Sequence, residues 1–366
     1  MAVPLFASSL DSHMPRLVER LGEVARAGSY ILGPEVTAFE REFAEYLGVR
    51  HCVGVANGTD AITIGLRALG VEPGDEVVCP SFTFYATVEA TLNAGATPVF
   101  CDIDPATFCV TRETVQAAVT ARTRAIVPVH LFGNVAPVPE LCELGLPVLE
   151  DAAQAAGATL SGRRAGALGH AATFSFFPSK NLPCLGDGGA IVTDEDDVAM
   201  RARRLRFHGS DDKKTFVEVG YNSRLDELQA AVLRILLPEL DRWSDCRRAA
   251  AVAYERAGLG EYAALPTPVE GADPVHHLYV VRHEQAEDLA AALKARGIGA
   301  RGYYRVPAHR QPATARFAPP GLELPGTEEA ARTHLALPMG TELSDEQVRA
   351  VVAACAEAVA PAGPGT

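Results

Sequence analysis

Three apolar runs in this chain end in, or are soon followed by, side chains that could take part in a reaction. Lys180 follows the run ATFSFF, Asp151 ends the run PVLED, and Gly58-Thr59 follow HCVGVA. A lysine held in a cleft, near a cationic ring and away from water, has a lowered pKa and can bond covalently to a carbonyl carbon. A carboxylate at a strand end can keep a ring nitrogen protonated. A glycine turn before a helix offers free N–H groups to a phosphate.

Each of these features also has an ordinary explanation. Gly58 and Thr59 suit any tight turn that leads into a helix, Asp151 suits a helix cap, and a lone lysine in a loop is usually solvated. The order along the chain favours chemistry, because a phosphate cradle, a ring carboxylate and Lys180 each follow an apolar run. Together they predict an enzyme whose lysine carries a phosphorylated ring cofactor.

The residues must be positioned by other elements, and the apolar runs predict a sheet. Short apolar segments alternate with helical patterns, which indicates a largely parallel sheet covered by helices on both faces. Ligands of such a sheet bind beyond the carboxyl ends of the strands. The predicted strands are 51–56, 76–80, 97–102, 124–130, 147–151, 172–177 and 189–194.

The pattern changes after a long helix that is predicted from about Ser223 to Trp243. A strand-like run HHLYVVRH, a helix near 285–296 and further alternation predict a smaller C-terminal α/β domain. The predicted organisation is a large cofactor-binding domain over 1–240 that includes two N-terminal helices, a small domain over 241–358 and a flexible tail over 359–366.

Composition argues against several classes of function. The 366 residues are 48% hydrophobic and 22% charged, as in ordinary globular proteins. A formal net charge of −13 disfavours nucleic acid as a partner. No C-x-x-C pair supports a metal site, and the eight cysteines suit a reducing compartment. The sequence has neither a signal-peptide pattern nor a membrane-length apolar run, so we expect a cytoplasmic protein without membrane contact.

Longer motifs extend beyond the three reactive segments. They are ILGPEVTAFEREFAEYLGV, ANGTDAI, GDEVVCPSFTFYAT, VHLFGN, EDAAQAAGA, FSFFPSKNL, GDGGAIVT and GYNSRLDELQAA, with weaker echoes in YYRVPAHRQPA and LALPMG. In these motifs, and most specifically in the run EDAAQ…SFFPSKN…GDGG, the chain resembles the DegT/DnrJ/EryC1/StrS family of sugar aminotransferases. The resemblance covers nearly the whole chain and implies the fold type I of pyridoxal-phosphate enzymes.

The resemblance implies roles for the residues around the cofactor. Lys180 would carry pyridoxal 5'-phosphate and move the proton, while Asp151 would pair with the pyridine nitrogen. Gln154 would lie near the ring hydroxyl, and Phe84 would stack on the ring face. The residues that would hold the phosphate are Gly58, Thr59 and Ser175.

The resemblance also implies a homodimer with shared active sites. Asn222 would reach the phosphate bound by the neighbouring subunit. Arg224 and His309 are candidate contacts to substrate anions, although a surface salt bridge or a structural histidine explains each equally well.

The implied reaction moves the amino group of L-glutamate to a keto group of a nucleotide-linked deoxysugar. The segment GYNSRLDELQAA looks like that of enzymes acting on dTDP-3-keto-6-deoxyhexoses, and the small Ser223 would leave room beside the phosphate. A dTDP-4-keto-6-deoxyhexose and a cyclitol ketone remain alternative amine acceptors. Lys180 argues against a pyridoxal-phosphate sugar dehydratase, in which a histidine replaces it. A non-catalytic, cofactor-binding regulator would need an appended output domain, which the sequence does not suggest.

Overall fold

The computed structural model describes residues 2–359, and its framework is a seven-stranded sheet. A small three-stranded sheet and a separate two-stranded sheet contain the other strands. In chain order the strands are β1 (His51–Val55), β2 (Glu76–Pro80), β3 (Thr97–Cys101), β4 (Thr123–Ile126), β5 (Leu149–Asp151), β6 (Thr159–Leu160), β7 (Arg163–Arg164), β8 (Ala171–Ser175), β9 (Gly189–Thr193), β10 (Ala272–Asp273), β11 (Tyr279–Arg282) and β12 (His334–Leu337).

Two runs of strands join to form the large sheet. The first has the order β3-β2-β4 and is parallel, and the second has the order β5-β8-β9-β1. Parallel bridges from Ile126 to Val148 and from Val129 to Asp151 connect them. β9 runs antiparallel to β1 and β8, whereas β5 and β8 are parallel. As a result β1, β5 and β8 end at the same edge, and the predicted mostly parallel sheet of an α/β fold is confirmed.

Helices cover both faces of this sheet, and further helices belong to the C-terminal part of the chain. They are α1 (Met14–Ala27), α2 (Pro34–Leu47), α3 (Gly58–Ala68), α4 (Ala86–Asn93), α5 (Arg112–Ala118), α6 (Val138–Cys142), α7 (Asp196–Arg206), α8 (Glu227–Leu236), α9 (Leu240–Arg256), α10 (Ala286–Ala295), α11 (Pro325–Thr333) and α12 (Asp345–Val359). The apolar residues of α2 recur at helical spacing and pack against the sheet, where Phe39 and Phe43 contact Phe176 edge-to-face.

A smaller C-terminal α/β unit contains β11 and β12, which pair antiparallel. Its core is built by one face of α9 together with α10 and α12, with Tyr254, Tyr279, Leu293 and Val351 fully or almost fully buried. This agrees with the predicted smaller α/β part, while the division at residue 240 stays a prediction. Of the predicted tail, Val359 ends α12 and residues 360–366 lie outside the described part of the chain.

The long helix predicted from Ser223 to Trp243 is wrong, because three elements share that range. α8 ends at Leu236, a 3-10 turn covers Leu237–Glu239, and α9 begins at Leu240. Pro238 lies in the turn, where it has no N–H to donate and its ring obstructs the carbonyl four residues earlier. The predicted strand over 124–130 is also too long, since β4 ends at Ile126, shortly before another proline.

The start of α2 is capped by a side chain from a distant part of the sequence. Its N-cap residue, Gly33, has no side chain to offer. The buried carboxylate of Glu227 accepts hydrogen bonds from the N–H groups of Gly33, Glu35 and Val36 at 2.9, 2.9 and 2.8 Å. Pro34 has no N–H, so one carboxylate takes every N–H of this turn and ties α2 to the first turn of α8.

Among residues 2–359, none of the helices combines the length and the apolar character needed to cross a bilayer.

Candidate active site

A cavity of about 770 Å³ opens at the edge of the sheet where β1, β5 and β8 end. Seven of the ten residues singled out in the sequence line it, although they come from widely separated segments. They are Gly58, Thr59, Phe84, Asp151, Gln154, Ser175 and Lys180. The other three, Asn222, Arg224 and His309, are not part of the lining. The cleft is within the size range of small-molecule sites in proteins.

The turn from β1 into α3 forms a cradle of backbone N–H groups. Asn57 caps the helix by accepting a hydrogen bond from the N–H of Asp60 at 2.8 Å. Within the described residues, the N–H groups of Gly58 and Thr59 have no protein acceptor. These free donors lie at the positive end of the α3 dipole, beside the Ser175 side chain, and such an arrangement binds anions.

Close packing explains why glycines are needed around the cradle. A Cβ on Gly58 would lie 2.7 Å from the Cβ of Ser175. A Cβ on Gly189, the first residue of β9, would lie 2.4 Å from the carbonyl oxygen of Asn57. Both distances are shorter than side-chain carbons tolerate, so glycine is required at positions 58 and 189 for the turn to approach the sheet.

Asp151 ends β5 with its carboxylate buried in the floor of the cleft. One oxygen accepts a hydrogen bond from the Thr87 hydroxyl at 2.9 Å, and the other accepts one from the N–H of Ala153 at 3.2 Å. Burial raises the pKa of Asp151 above its ordinary value, while these two bonds and the charge of Lys180 act in the opposite direction. The carboxylate is therefore held in a fixed orientation and can interact strongly with a cationic group in the cleft.

Lys180 follows β8 at the end of a tight turn in which its N–H donates to the Phe177 carbonyl at 2.8 Å. Its amine lines the cleft. Burial lowers the pKa of Lys180 to about 8, against the opposing influence of the Asp151 carboxylate. A substantial fraction of this amine is therefore uncharged at mildly alkaline pH, as a nucleophile or a proton acceptor requires. Lysines also occur at 213, 214 and 294, and all three are exposed.

Gln154 lies in the wall and is held by two hydrogen bonds. Its carbonyl oxygen accepts from the N–H of Phe132 at 2.7 Å, and its amide nitrogen donates to the Tyr304 hydroxyl at 3.2 Å. The Tyr304 ring is stacked on that of Phe132, with an interplanar angle of 4°. Tyr304 has a φ of 65°, which is unusual for a residue other than glycine, and burial raises its pKa. A strained tyrosine in a cleft wall indicates a constrained site.

The side chain of Phe84 forms part of the cleft wall and is largely exposed to solvent. Its side chain is 55% exposed, although it is a large apolar group beside the buried residues Thr83 and Thr87. Its ring lies 6.2 Å from that of Tyr304. An exposed aromatic face above buried polar groups is suited to a planar ring ligand.

Asn222, Ser223 and Arg224 lie in the segment between α7 and α8. Ser223 is fully buried, and its hydroxyl accepts a hydrogen bond from the N–H of Ala56 at 3.0 Å. This bond ties Ser223 to the end of β1, while the expectation that its small side chain leaves room beside the phosphate stays a prediction. Asn222 is exposed and forms an isolated bridge with Phe207, and Arg224 is half-buried.

His309 packs behind the cleft and not in it. Ser81 and His309 approach to 2.6 Å between Oγ and Nδ1, and the other ring nitrogen lies 3.2 Å from a carboxylate oxygen of Glu328. Burial lowers the pKa of His309. Because Ser81 and Glu328 lie beside the two ring nitrogens, His309 has the contacts of a structural histidine rather than of a substrate-binding one.

Several residues of the cleft were not predicted from the sequence. Thr87, which bonds Asp151, lies one helical turn after Phe84 and could have been found from that spacing. Residues from the C-terminal part of the chain had no such signal, because their place in the cleft depends on how that part packs on the sheet. They are His277, Arg301, Tyr303 and Tyr304. Within the described residues, no cluster of His, Cys, Asp or Glu could hold a metal ion.

Known proteins resemble this chain over nearly its full length. A sequence model of the DegT/DnrJ/EryC1/StrS aminotransferase family matches residues 12–356. The chain is 46% identical over 345 residues to the dTDP-3-amino-3,4,6-trideoxy-alpha-D-glucose transaminase of Streptomyces venezuelae, covering 92% of this chain and 90% of that relative. It is 44% identical over 366 residues to the pleiotropic regulatory protein of Geobacillus stearothermophilus, covering 98% of each.

A solved structure has the same architecture. DesV of S. venezuelae, in complex with a ketimine intermediate, superposes with a TM-score of 0.94 at 43% identity, and the match covers 99% of both chains.

Proposed function

Because the chain belongs to the DegT/DnrJ/EryC1/StrS aminotransferase family, we propose that it uses pyridoxal 5'-phosphate to aminate a keto group of a nucleotide-linked deoxysugar. The chain is an aminotransferase, like its named relatives. L-glutamate would give the amino group and leave as 2-oxoglutarate. The observation that carries the proposal is the low-pKa amine of Lys180 in one cleft with the Asp151 carboxylate and a free helix N-terminus.

The residues of the cleft fit the proposed cofactor. The unpartnered N–H groups of Gly58 and Thr59, with the Ser175 hydroxyl beside them, suit the phosphate. Asp151, a buried carboxylate, suits a protonated ring nitrogen. The open face of Phe84 suits stacking on the ring, and Gln154, which also lines the cleft, would be a neighbour of the ring hydroxyl.

The protein's own groups would divide the work of amino transfer. When bound, the cofactor supplies an electron sink for the carbon that loses or gains a proton. Lys180 can accept that proton at Nζ and return it, since its pKa of about 8 is close to physiological pH. Asp151 would hold the ring nitrogen in its protonated form, supported by Thr87 and Ala153. Gln154, tied to Phe132 and Tyr304, would keep the ring from turning in its plane.

We favour a dTDP-3-keto-6-deoxyhexose as the amine acceptor. The relative from Streptomyces venezuelae is named for a dTDP sugar with its amino group at carbon 3, and it shares 46% of its residues with this chain. The cleft has space for a ligand beyond the cofactor, and Arg301 and Arg305 in its lining offer positive charge to a diphosphate. A 4-keto sugar and a cyclitol ketone are the competing acceptors.

The preference for carbon 3 predicts a clear difference between two substrates. With L-glutamate as donor, the dTDP-3-keto-6-deoxyhexose should be aminated at least about tenfold more efficiently than the 4-keto isomer, because a misplaced carbonyl lies away from Lys180. NMR of each product locates the new C–N bond. Efficient amination at carbon 4 with the 3-keto sugar ignored would overturn the choice of substrate and leave the cofactor assignment intact.

We further propose a homodimer in which Asn222 completes the neighbour's site. This residue is exposed and does not line the cleft of its own subunit. The segment leading to it exposes Phe216, Val217 and Val219, and exposed apolar groups of this kind are typical of a protein interface. A shared site would explain why an exposed asparagine lies next to so apolar a loop.

Subunit mixing tests the shared site. Lys180→Ala and Asn222→Ala homodimers should each be nearly inactive, and an exchanged equal mixture should recover up to about a quarter of wild-type activity, since half of its dimers contain one intact site. The pair Lys180→Ala with Lys180→Arg, both defective at one position, is the matched control and should recover none. If subunits demonstrably exchange and Lys180→Ala with Asn222→Ala stays inactive, the site is not shared in this way.

Two rival functions remain distinguishable by experiment. A sugar dehydratase would release water and consume no glutamate, and the presence of Lys180 disfavours it. A non-catalytic regulator is considered because the Geobacillus stearothermophilus relative is named a pleiotropic regulatory protein. The low-pKa lysine and the oriented carboxylate in one cleft favour catalysis over sensing.

A further inference from the structure

His130 is a fully buried imidazole that no step of the proposed reaction uses, and both of its ring nitrogens have protein partners. Its Nδ1 accepts a hydrogen bond from the N–H of Ala136 at 3.0 Å. A backbone N–H can only donate, so Nδ1 carries no proton and the proton of the neutral ring is on Nε2. Nε2 therefore donates to a carboxylate oxygen of Glu150 at 2.8 Å.

Glu150 is the middle residue of β5 and directly precedes Asp151. Its side chain is fully buried, and three backbone N–H groups donate to it in addition to the imidazole. They belong to Gly166, Leu168 and Gly169, at 2.8, 2.8 and 2.7 Å. Four donors occupy the acceptor positions of both oxygens, which only an ionised carboxylate provides. Because successive side chains of a strand point to opposite faces, Glu150 holds β5 from the side opposite Asp151.

The imidazole closes a turn whose backbone is strained. Residues 131–133 form a 3-10 turn in which Phe132 has a φ of 58° and Gly133 a φ of 94°. A left-handed φ is unfavourable for a bulky side chain such as that of phenylalanine, and it persists only where the surroundings impose it. His130 restrains the turn from both ends, since its ring binds Ala136 beyond the turn and Glu150 in the sheet.

The closed turn is connected to the cleft at two points. The N–H of Phe132 donates to the side-chain oxygen of Gln154 at 2.7 Å, which orients the amide of that residue. The N–H of His130 donates to the carbonyl oxygen of Asp151 at 3.0 Å, and the N–H of Asp151 donates to the carbonyl oxygen of Pro128 at 2.9 Å. Gln154 and Asp151 both line the cleft. The restrained turn therefore determines where two residues of the cleft are held.

We propose that His130 is a positioning residue that fixes Gln154 and Asp151 for the cofactor ring. This rests on the proposed function, in which these two residues contact the ring hydroxyl and the ring nitrogen. Without the imidazole the turn loses both restraints, and Phe132 can relax from its positive φ, which moves the N–H that holds Gln154. His130 does not line the cleft, so its effect on the reaction is indirect.

The first test measures the N–H of Phe132 in the full-length protein without cofactor. Isotopically labelled phenylalanine gives one amide NMR signal for each of the 14 phenylalanines, and Phe132→Leu identifies the relevant one. Its hydrogen exchange should be at least about tenfold faster in His130→Leu, because a turn without its restraints opens more often. Gln154→Ala, which lacks the acceptor, gives the exchange rate when this hydrogen bond is absent.

The second test measures the cofactor and the reaction. In His130→Leu the dissociation constant of pyridoxal 5'-phosphate should rise by about tenfold, and the absorbance maximum of the bound cofactor should shift, since the ring hydroxyl has lost a fixed neighbour. The kcat should fall by about tenfold or more, while KM for the sugar changes by less than about threefold.

Leu293→Ala is the matched control for a general loss of stability. It removes a fully buried side chain from a different hydrophobic core, that of the C-terminal unit, so its thermal midpoint should fall. Cofactor affinity, absorbance and the exchange of the Phe132 N–H should stay as in the wild type, because the turn at His130 is intact.

Two conservative variants separate the two bonds of the imidazole. His130→Gln can still donate to Glu150, and His130→Asn can still accept from Ala136, so each should restore part of the cofactor affinity that His130→Leu loses. They also keep the proposal testable if His130→Leu does not fold.

An unchanged exchange rate of the Phe132 N–H in the folded His130 variants overturns the proposal. So does an equal loss of cofactor affinity in Leu293→Ala at the same loss of thermal midpoint, because general destabilisation would then explain both. Faster Phe132 exchange and weaker cofactor binding in the variants, together with a wild type that binds the cofactor but transfers no amino group, would contradict the proposed function and still support the role of His130.

Discussion

Lys180→Arg is expected to lose at least about 10³-fold in kcat for amino transfer, because arginine keeps the positive charge but cannot give up its proton. Lys180→Ala should lose as much. The structural reason is that Lys180 lines the cleft and has a pKa of about 8, whereas the lysines at 213, 214 and 294 are on exposed segments. Steady-state formation of the amino sugar measures the effect. Lys294→Arg is the matched control and should retain full activity.

Chemical labelling of the same lysine provides an independent readout of that prediction. Borohydride reduction of the yellow holoenzyme should fix the cofactor on a single peptide that contains Lys180. Since the sequence has only four lysines, peptide mass spectrometry distinguishes them without ambiguity. Label on Lys213, Lys214 or Lys294, or full turnover by Lys180→Ala, would show that the assignment is wrong.

Asp151→Asn should lose about 10²- to 10³-fold in kcat, with a much smaller change in protein stability. The amide has nearly the same shape as the carboxylate and can still accept the Thr87 hydrogen bond, but it carries no charge to keep a ring nitrogen protonated. The absorbance of the bound cofactor, the kcat and the thermal midpoint should be measured on the same preparation. Full activity in Asp151→Asn would contradict the role of this carboxylate.

Thr87→Val is the matched control for Asp151→Asn, since it removes one hydrogen bond to Asp151 and leaves the carboxylate in place. The Thr87 bond lowers the pKa of Asp151 against the stronger effect of burial, so its loss should raise that pKa further. Activity that requires the ionised carboxylate would then decline at a higher pH on the acid side than in the wild type. At neutral pH and above, Thr87→Val should be far more active than Asp151→Asn.

Local signals were sufficient to predict the main features of the large sheet and the floor of the site. Apolar runs of strand length located β1, β2 and β9 to within one residue at each end, because these strands are buried on both faces. Asp151 ends β5, while Gly58 and Lys180 follow β1 and β8, and strands of one direction bring such residues to one edge. The lining of the cleft by these residues follows from topology and needs no knowledge of distant contacts.

Other features depend on packing that no local pattern records. No signal around Ser223 indicates that its hydroxyl accepts a hydrogen bond from the N–H of Ala56, which lies 167 residues earlier. His309 looked equally like a ligand contact or a structural residue, and Ser81, which occupies its Nδ1, lies 228 positions earlier in the sequence. Tyr304 was not predicted as a site residue. Its hydrogen-bond partner Gln154 lies 150 residues earlier in the sequence, and its φ of 65° is a conformation that no local pattern indicates.

The helix break at Pro238 was visible in the sequence, yet the apolar spacing around it favoured a continuous helix. The apolar residues of α8 and α9 have helical periodicity on both sides of the 3-10 turn, so a pattern based on spacing joins them. The missing N–H of proline outweighs that continuity, because the backbone must satisfy its hydrogen bonds turn by turn.

The carboxylate of Glu227 also constrains the order in which this chain can fold. During synthesis α2 leaves the ribosome long before Glu227, which lies 192 residues after Glu35. Until that residue arrives, the N–H groups at the start of α2 have only water as a partner. Closing so long a loop costs chain entropy, and contacts of this separation form late. One of the first helices to be synthesised is therefore among the last to be fixed in place.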